Sequence, residues 1–163
     1  MNFEDIYKRL FKPVFAYIQS RVYNSAHAED IAARTWQKVW DKQNQFDATK
    51  GLPEQWIFTI ARNEVNNHYR WQQIKQFFLL PEEDIVASNE KTPFEQLSAQ
   101  ERTSYLLRAL KKLEKREQDL LALKFYSQLN NRQIAQMTGL SESNVGTLLH
   151  RALGKLRKIL EDL

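Results

Sequence analysis

Apolar residues recur every three or four positions along most of the chain, which predicts α-helices rather than strands. Pro53 suits the first turn of a helix, because its missing N–H would have no partner there. Ser25 is the expected N-cap of the second helix, following the turn-like residues Tyr23 and Asn24. No segment alternates for long in the manner of a strand, so the chain is expected to be all-α. The first three helices are predicted at residues 2–22, about 26–43 and 53–76, with a loop at 44–52.

The helical pattern fails after Gln76 and returns only near Thr92. The stretch LLPEEDIVASNEKTP mixes prolines, acids and small polar residues, a composition typical of linkers. Thr92 followed by Pro93 and Glu95 has the cap, the first-turn proline and the acidic residue of a helix start. Helical patterns then run to Leu113 and on from Glu114. The pattern therefore predicts two small helical domains, joined by a flexible acidic linker, at residues 1–76, 77–95 (linker) and 96–163.

The stretch QIAQMTGLSESNVGTLLHRA breaks a regular helical pattern at Gly139 and resumes it at once. Glycine enters a left-handed turn without the steric cost that other residues meet. Small Ala135 suits the place where two helices cross, and Ser141 can cap the second helix. This pattern predicts a helix-turn-helix with helices at 131–140 and 141–160. The expected buried side of the second helix is Leu140, Val145, Leu148, Leu149, Ala152 and Leu156.

The outer face of the second helix carries small polar residues first and cations later. In a recognition helix, the N-terminal side chains meet base edges and flanking cations meet phosphates. Asparagine suits adenine, threonine suits the thymine methyl group, and arginine suits guanine or phosphate. The pattern leaves open a plain helical hairpin with a solvated face. The candidate DNA-binding residues are Ser143, Asn144, Thr147, His150, Arg151 and Lys155.

The third predicted helix interleaves aromatic residues with amides and cations. Rings can stack on unpaired bases or line pockets for them, while cations neutralise the backbone of a single strand. Trp56 and Ile60 lie at helical spacing and are better explained as core. The candidate single-strand contacts are Arg62, Asn63, Asn66, Asn67, Arg70 and Trp71.

Charge is distributed unevenly along the chain. The net charge is +3 over residues 1–75, −4 over 76–102 and +5 over 103–163. Two basic segments flanking an acidic one suggest a polyanionic partner. The N-terminus lacks the apolar core of a signal peptide, and no apolar run approaches the ~20 residues that span a bilayer. A cytoplasmic protein is therefore expected.

No constellation of residues points to catalysis. The chain has no cysteine, which excludes disulfides, thiolate metal sites and a thiol nucleophile. A glycine-rich phosphate loop is absent, and His27, His68 and His150 lack metal-binding spacing with acids. We therefore expect no catalytic, cofactor or metal residues, and a protein that is not an enzyme.

Three segments of the chain, taken together and in order, resemble one protein family. They are AEDIAARTWQKVW (28–40), WIFTIARNEVNNHYR (56–70) and LEKREQDLLALKFYSQLNNRQIAQMTGLSESNVGTLLHRALGKLR (113–157). Together they resemble the bacterial sigma-70 family, specifically the small extracytoplasmic-function (ECF) type of RNA polymerase sigma factor. The resemblance covers nearly the whole chain.

The resemblance implies a two-domain initiation factor whose partners are the polymerase core (its beta and beta-prime subunits) and promoter DNA. Region 2 would grip the clamp helices and open the −10 element, with the turn Asn63–Asn66 as the loop that captures a flipped base. Region 4 would hold the flap and read the −35 element, and the linker would follow the RNA path. An anti-sigma factor, including the membrane-bound kind, is a further implied partner; a small-molecule substrate is not. The implied core contacts are Asp30, Arg34, Gln37 and Lys38.

The sequence departs from the family pattern at two places. Ala33 and Arg34 stand where the family often has Gln-Glu, and residues 143–148 lack two of the cations common in its recognition helices. Two other hypotheses stay open on the residues alone. One is a stand-alone dimeric helix-turn-helix regulator, and the other is a helical adaptor that binds only protein.

Overall fold

The computed structural model describes residues 1–78 and 98–162, without the side chain of Phe78. Within these two ranges there are α-helices and one short 3-10 turn but no strand, which confirms the all-α prediction. The predicted helix start at Thr92 and nearly all of the predicted linker lie outside the described residues. The helices are α1 (Phe3–Val22), α2 (Ser25–Lys42), α3 (Pro53–Phe78), α4 (Ala99–Lys111), α5 (Lys115–Ser127), α6 (Asn131–Thr138) and α7 (Glu142–Asp162).

Side-chain caps set several helix boundaries. Tyr23 adopts a left-handed backbone (φ 62°), which ends α1. The side chain of Asn24, rather than the predicted Ser25, accepts the N–H of His27 and caps α2, so the Ser25 prediction was wrong. At α4, Ser98 and Glu101 form a reciprocal capping box.

Helices α1, α2 and α3 pack against one another as the N-terminal bundle. The α1 side chains at three- and four-residue spacing, such as Leu10, Val14 and Tyr17, are buried as their pattern predicts. Trp56 and Ile60 pack against this core while partly buried, in agreement with the structural role expected of them.

Helices α4 to α7 form the C-terminal bundle, in which α7 contacts α4, α5 and α6. Gly139 has φ 76° and its N–H donates to the carbonyl of Ala135, so the predicted left-handed turn between α6 and α7 is confirmed. Ser141 caps α7 by accepting the N–H of Asn144 at 3.1 Å. The predicted inner side of α7 is confirmed too, with Val145, Leu149, Ala152 and Leu156 buried and Leu140 and Leu148 packed against them.

The two bundles touch each other directly. Helix α5 packs along α1 and also meets α3, while α6 meets the N-terminal part of α3. There, the side-chain amide of Gln55 donates to the side chain of Gln136 at 3.0 Å. Nothing in the sequence pattern predicts this contact. None of the described helices is long and apolar enough to cross a membrane.

Candidate nucleic-acid interface

The outer face of α7 presents all six of its candidate residues to solvent. Ser143, Asn144, Thr147, His150 and Arg151 are all exposed, opposite the buried side of the helix. The hydroxyl of Thr147 donates to the carbonyl of Ser143 at 3.1 Å, one turn back on the same helix. The polar face of α7 is therefore already formed in the protein without DNA.

Lys155, the sixth candidate on α7, lies beside an acid of its own bundle. Its Nζ is 3.1 Å and 3.2 Å from the two carboxylate oxygens of Glu117 on α5. The Glu117 side chain is buried, whereas about half of the Lys155 side chain remains exposed. Glu117 therefore competes with any phosphate for this cation.

The candidates on α3 divide between two surfaces. Arg62, Asn66 and Arg70 line a cleft toward α5. Asn67 and Trp71 line a different cavity, toward α2. Asn63 is exposed at the surface. At 3.6 residues per turn these six residues cover about half of the helix circumference, which is wide enough to reach two neighbouring helices.

The turn expected at Asn63–Asn66 does not exist. Helix α3 runs without interruption from Pro53 to Phe78, so these residues lie within a continuous helix. The expectation of a base-capturing loop at this place was therefore wrong. The only nonhelical residues nearby belong, within the described part of the chain, to the segment just before Pro53.

Asp119 on α5 sits where the two bundles meet, and it is only 6% exposed. Its carboxylate accepts the hydroxyl of Tyr17 at 2.7 Å and the Nε–H of Arg62 at 2.7 Å. The Nε of Arg21 lies 3.9 Å from the same group. Beside this cluster, the hydroxyl of Tyr23 donates to Gln118 at 2.8 Å. One candidate single-strand residue is thus already engaged inside the molecule.

Burial and charge fix the protonation of these partners. Burial, reinforced by the negative charge of Asp119, raises the pKa of Tyr17 well above its ordinary value, so its hydroxyl stays a donor. Burial by itself lowers the pKa of Arg62, but the attraction of Asp119 outweighs it and the pKa is raised overall. Arg62 therefore keeps its charge.

The residues expected to bind core polymerase lie along α2 and partly pair with α3. Arg34 is 3.5 Å from the buried carboxylate of Glu64, and Lys38 also pairs with that carboxylate. Gln37 is exposed and donates to Asp41 at 2.9 Å, while Asp30 is exposed at the edge of the α2–α3 cavity.

The same cavity brings His27 and His68 together, with ring centroids 4.8 Å apart, although they are far apart in sequence. No group of three or more residues able to hold a metal occurs in residues 1–78 and 98–162. Asp30 and Arg34 thus share one cavity with Asn67 and Trp71.

Sequence reasoning missed Asp119, Arg21 and Glu117. Each is a charged residue buried at a packing surface. Buried acids normally occur only where a partner neutralises them, and the partners of Asp119 lie 57 and more positions away in the chain. No local spacing could have identified them.

Two family models match the chain, one for each bundle. The model described as Sigma-70 region 2 matches residues 6–74, and the model described as Sigma-70, region 4 matches residues 103–156. Together these matches span most of the chain, in the order that region numbers imply.

Curated relatives and solved structures agree with these matches. The chain is 28% identical to RNA polymerase sigma factor YlaC of Bacillus subtilis, over 96% of this chain and 91% of that protein. It is 27% identical to ECF RNA polymerase sigma factor BldN of Streptomyces coelicolor, over 98% and 61% respectively. The fold resembles the sigma factor RpoE solved in complex with the anti-sigma factor NepR from Bartonella quintana, with a TM-score of 0.78 at 21% identity, covering 98% of this chain and 97% of that one. The chain belongs to the sigma-70 family of RNA polymerase sigma factors, with ECF sigma factors among its relatives.

Proposed function

We propose that this chain directs promoter-specific transcription initiation as part of an RNA polymerase holoenzyme. The observation that carries the proposal is the ordered pair of region 2 and region 4 matches, each on its own helical bundle. We assign residues 1–76 to core binding and −10 opening, 77–95 to the linker, and 96–163 to −35 recognition.

The −35 element is assigned to the exposed face of α7. Its N-terminal half offers Ser143, Asn144 and Thr147 to base edges, while His150 and Arg151 suit phosphates and guanine. Lys155 is assigned to the same duplex through its exposed part, in competition with Glu117.

The −10 element is assigned to α3, without the loop that the family resemblance implied. Arg62, Asn63, Asn66 and Arg70 form the side that faces α5 or solvent, and they suit a strand backbone and base edges. Asn67 and Trp71 line the α2–α3 cavity, where an aromatic ring and an amide suit an unstacked base. Arg62 gives only its Nε–H to Asp119 in the contacts described, so its guanidinium would be shared between that acid and a strand.

Core polymerase is assigned to the exposed residues Asp30, Arg34, Gln37 and Lys38 of α2, two of which also pair with Glu64 of α3. Solved relatives in this fold include sigma factors in complex with anti-sigma factors, so we also assign an anti-sigma factor as a partner. We also assign the protein to the cytoplasm, because that is where the proposed polymerase and promoter partners are found. We assign it no catalytic activity of its own, because polymerase would perform the chemistry.

A stand-alone dimeric regulator fits less well. Such a protein needs only the helix-turn-helix, whereas the family matches extend through α1, α2 and α3. A purely protein-binding adaptor leaves the exposed polar and basic face of α7 without a role.

Reconstituted transcription tests the proposal. The purified full chain, added to bacterial core polymerase, is expected to direct initiation from a defined set of promoters in a genomic DNA library. Initiation no better than that of core alone would refute it. Tight dimeric binding to a palindrome without polymerase would instead support the regulator. The adaptor predicts no salt-dependent DNA affinity, whereas phosphate contacts lower log K by about 0.9 per contact for each unit of log salt.

A further inference from the structure

The cleft between α3 and α5 carries far more positive than negative charge. Its volume is about 350 Å³, within the roughly 300–1,000 Å³ of small-molecule sites. It has one acid, Asp119, and that acid is already bound to Tyr17 and Arg62. The cations that line the cleft are Arg21, Arg62, Arg70, Lys115 and Arg116.

The environment of Arg21 indicates that a hydrogen-bond acceptor belongs in this cleft. Its residue is only 3% exposed, yet its Nε and Nη1 form no hydrogen bond among the residues that the structure describes. The nearest acid, Asp119, is 3.9 Å away, beyond hydrogen-bond distance. The guanidinium carbon also lies 5.5 Å from the centre of the Tyr69 ring, which leaves these two nitrogens without an acceptor within residues 1–78 and 98–162. Buried N–H groups without hydrogen bonds are costly, and they call for an ion or water that accepts from them.

The other cations crowd the same space. Lys115 lies with its Nζ 3.6 Å from the centre of the Tyr69 ring. Partial burial lowers the pKa of Lys115, and the positive charge of Arg21 lowers it further. Arg70 and Arg116 form no ion pair within the described residues. Arg21 and Lys115 therefore repel one another, and an anion bound in the cleft would relieve that repulsion.

We propose that the cleft between α3 and α5 is a binding site for a small phosphate-class anion, held jointly by the two bundles. Guanidinium groups match the oxygens of phosphate with paired N–H donors, and four arginines line this cleft together with a lysine. Arg21 and Arg70 belong to the N-terminal bundle, whereas Lys115 and Arg116 belong to α5. The bound anion therefore stabilises the contact between the bundles.

The site also has a consequence for DNA, which rests on the proposed function. Arg62, Asn66 and Arg70 line this cleft and are the residues assigned to the −10 strand. The anion and the strand then compete for the same side of α3. Anion binding itself stands on the geometry of the cleft alone, so its failure and the failure of the proposed function are separate results.

Titration calorimetry with pyrophosphate, on the full chain at low ionic strength, tests the proposal. The double variant Lys115→Gln/Arg116→Gln removes two exposed cations from the α5 side, so folding is expected to be retained, as circular dichroism and thermal unfolding would check. It is expected to bind pyrophosphate at least about tenfold more weakly than wild type, since one such charged contact contributes at least that factor. The matched control Lys12→Gln/Lys42→Gln removes two exposed cations outside the cleft and is expected to bind as wild type does.

Two outcomes would overturn the site. One is the absence of pyrophosphate binding to wild type, or equal binding by wild type and the cleft variant. The other comes from a second titration with a single-stranded oligonucleotide that lacks promoter sequence. If the oligonucleotide binds through Lys115 and Arg116 while pyrophosphate neither binds nor competes, the cleft is a nucleic-acid backbone site instead.

Discussion

The two surfaces assigned to promoter DNA differ in how much of each is already occupied. On α7, all six residues are exposed, and Lys155 alone among them is paired, in the described part of the chain, with a residue of another helix. On α3, Arg62 is bound to Asp119, and Asn66 and Arg70 line a cleft that α5 helps to close. One surface is complete in the folded chain, whereas the other shares its residues with an internal interface.

This difference suggests that the two surfaces respond differently to the same perturbation. A residue of α7 can be removed at the cost of its DNA contact alone, because it supports little else. Arg62 in the α3–α5 cleft also bonds to Asp119 across the contact between bundles, so its removal changes both stability and binding. The variants below separate these effects.

The largest effect is expected from Asp119→Ala. The change leaves Arg21, Arg62 and the hydroxyl of Tyr17 without their shared carboxylate at a buried site. Breaking a buried ion pair by removing one partner typically costs about 3–5 kcal/mol, and we expect the free energy of unfolding in urea to fall by that amount. Glu29→Ala, which removes an exposed acid of α2, is the control and should change it by less than about 0.5 kcal/mol. If Asp119→Ala changed the free energy of unfolding as little as the control does, this carboxylate would not stabilise the contact between the bundles.

A smaller effect, confined to strand opening, is expected from Asn63→Ala and Asn66→Ala. Capture of an extruded base involves only a few kcal/mol, so a partial loss of −10 melting is the predicted result. Permanganate reactivity of the −10 region in the reconstituted holoenzyme measures it, and duplex binding by α7 should be unchanged. Wild-type melting by both variants would remove α3 from the account of promoter opening.

On α7, Arg151→Ala is expected to weaken binding of a −35 duplex by about 1–3 kcal/mol. If Arg151 contacts a phosphate, the slope of log K against log salt should also become shallower by about 0.9. Lys155→Ala is the matched comparison, because Glu117 already holds that cation, and a smaller change in slope is expected. Fluorescence anisotropy over a salt series distinguishes the two variants. Equal slopes for them would contradict the inference that Glu117 competes with DNA for Lys155.

The smallest effect is expected from Gly146→Ala. An added Cβ would lie 3.6 Å from the side-chain nitrogen of Asn131, an ordinary contact, so the helix can accept it. Alanine within a helix is favoured over glycine by about 0.5–1 kcal/mol, and thermal unfolding should show a gain of that size. Because the position faces α6, affinity for the −35 duplex should be retained. A loss of affinity without a loss of stability would show that Gly146 permits close approach to DNA.

Helix positions and inward faces were predictable because they depend on local spacing. The turn at Gly139, the cap at Ser141 and the buried side of α7 all follow from periodicity and from the conformational freedom of one glycine. The cap of α2 was misassigned to Ser25 because both Asn24 and Ser25 are good caps, and only the hydrogen bond to His27 decides between them.

The contact between bundles was not predictable, since it depends on residues far apart in the chain. Tyr17 and Asp119 are 102 positions apart, and no spacing of residues near either one predicts their hydrogen bond. The division of the α3 candidates between two surfaces follows instead from helix geometry. A turn was expected at Asn63–Asn66, but α3 is unbroken there. In a continuous helix the neighbours Asn66 and Asn67 point in different directions, and they line different cavities.

The most direct test of the account is the affinity of the full chain for core RNA polymerase, measured by co-elution on size-exclusion chromatography. We expect a one-to-one complex at concentrations of about 1 µM, which requires a binding free energy near −8 kcal/mol. We also expect that charge reversal at exposed Asp30 (Asp30→Lys), combined with Gln37→Ala, weakens that complex without unfolding the chain. Separate elution of chain and polymerase at that concentration would contradict it.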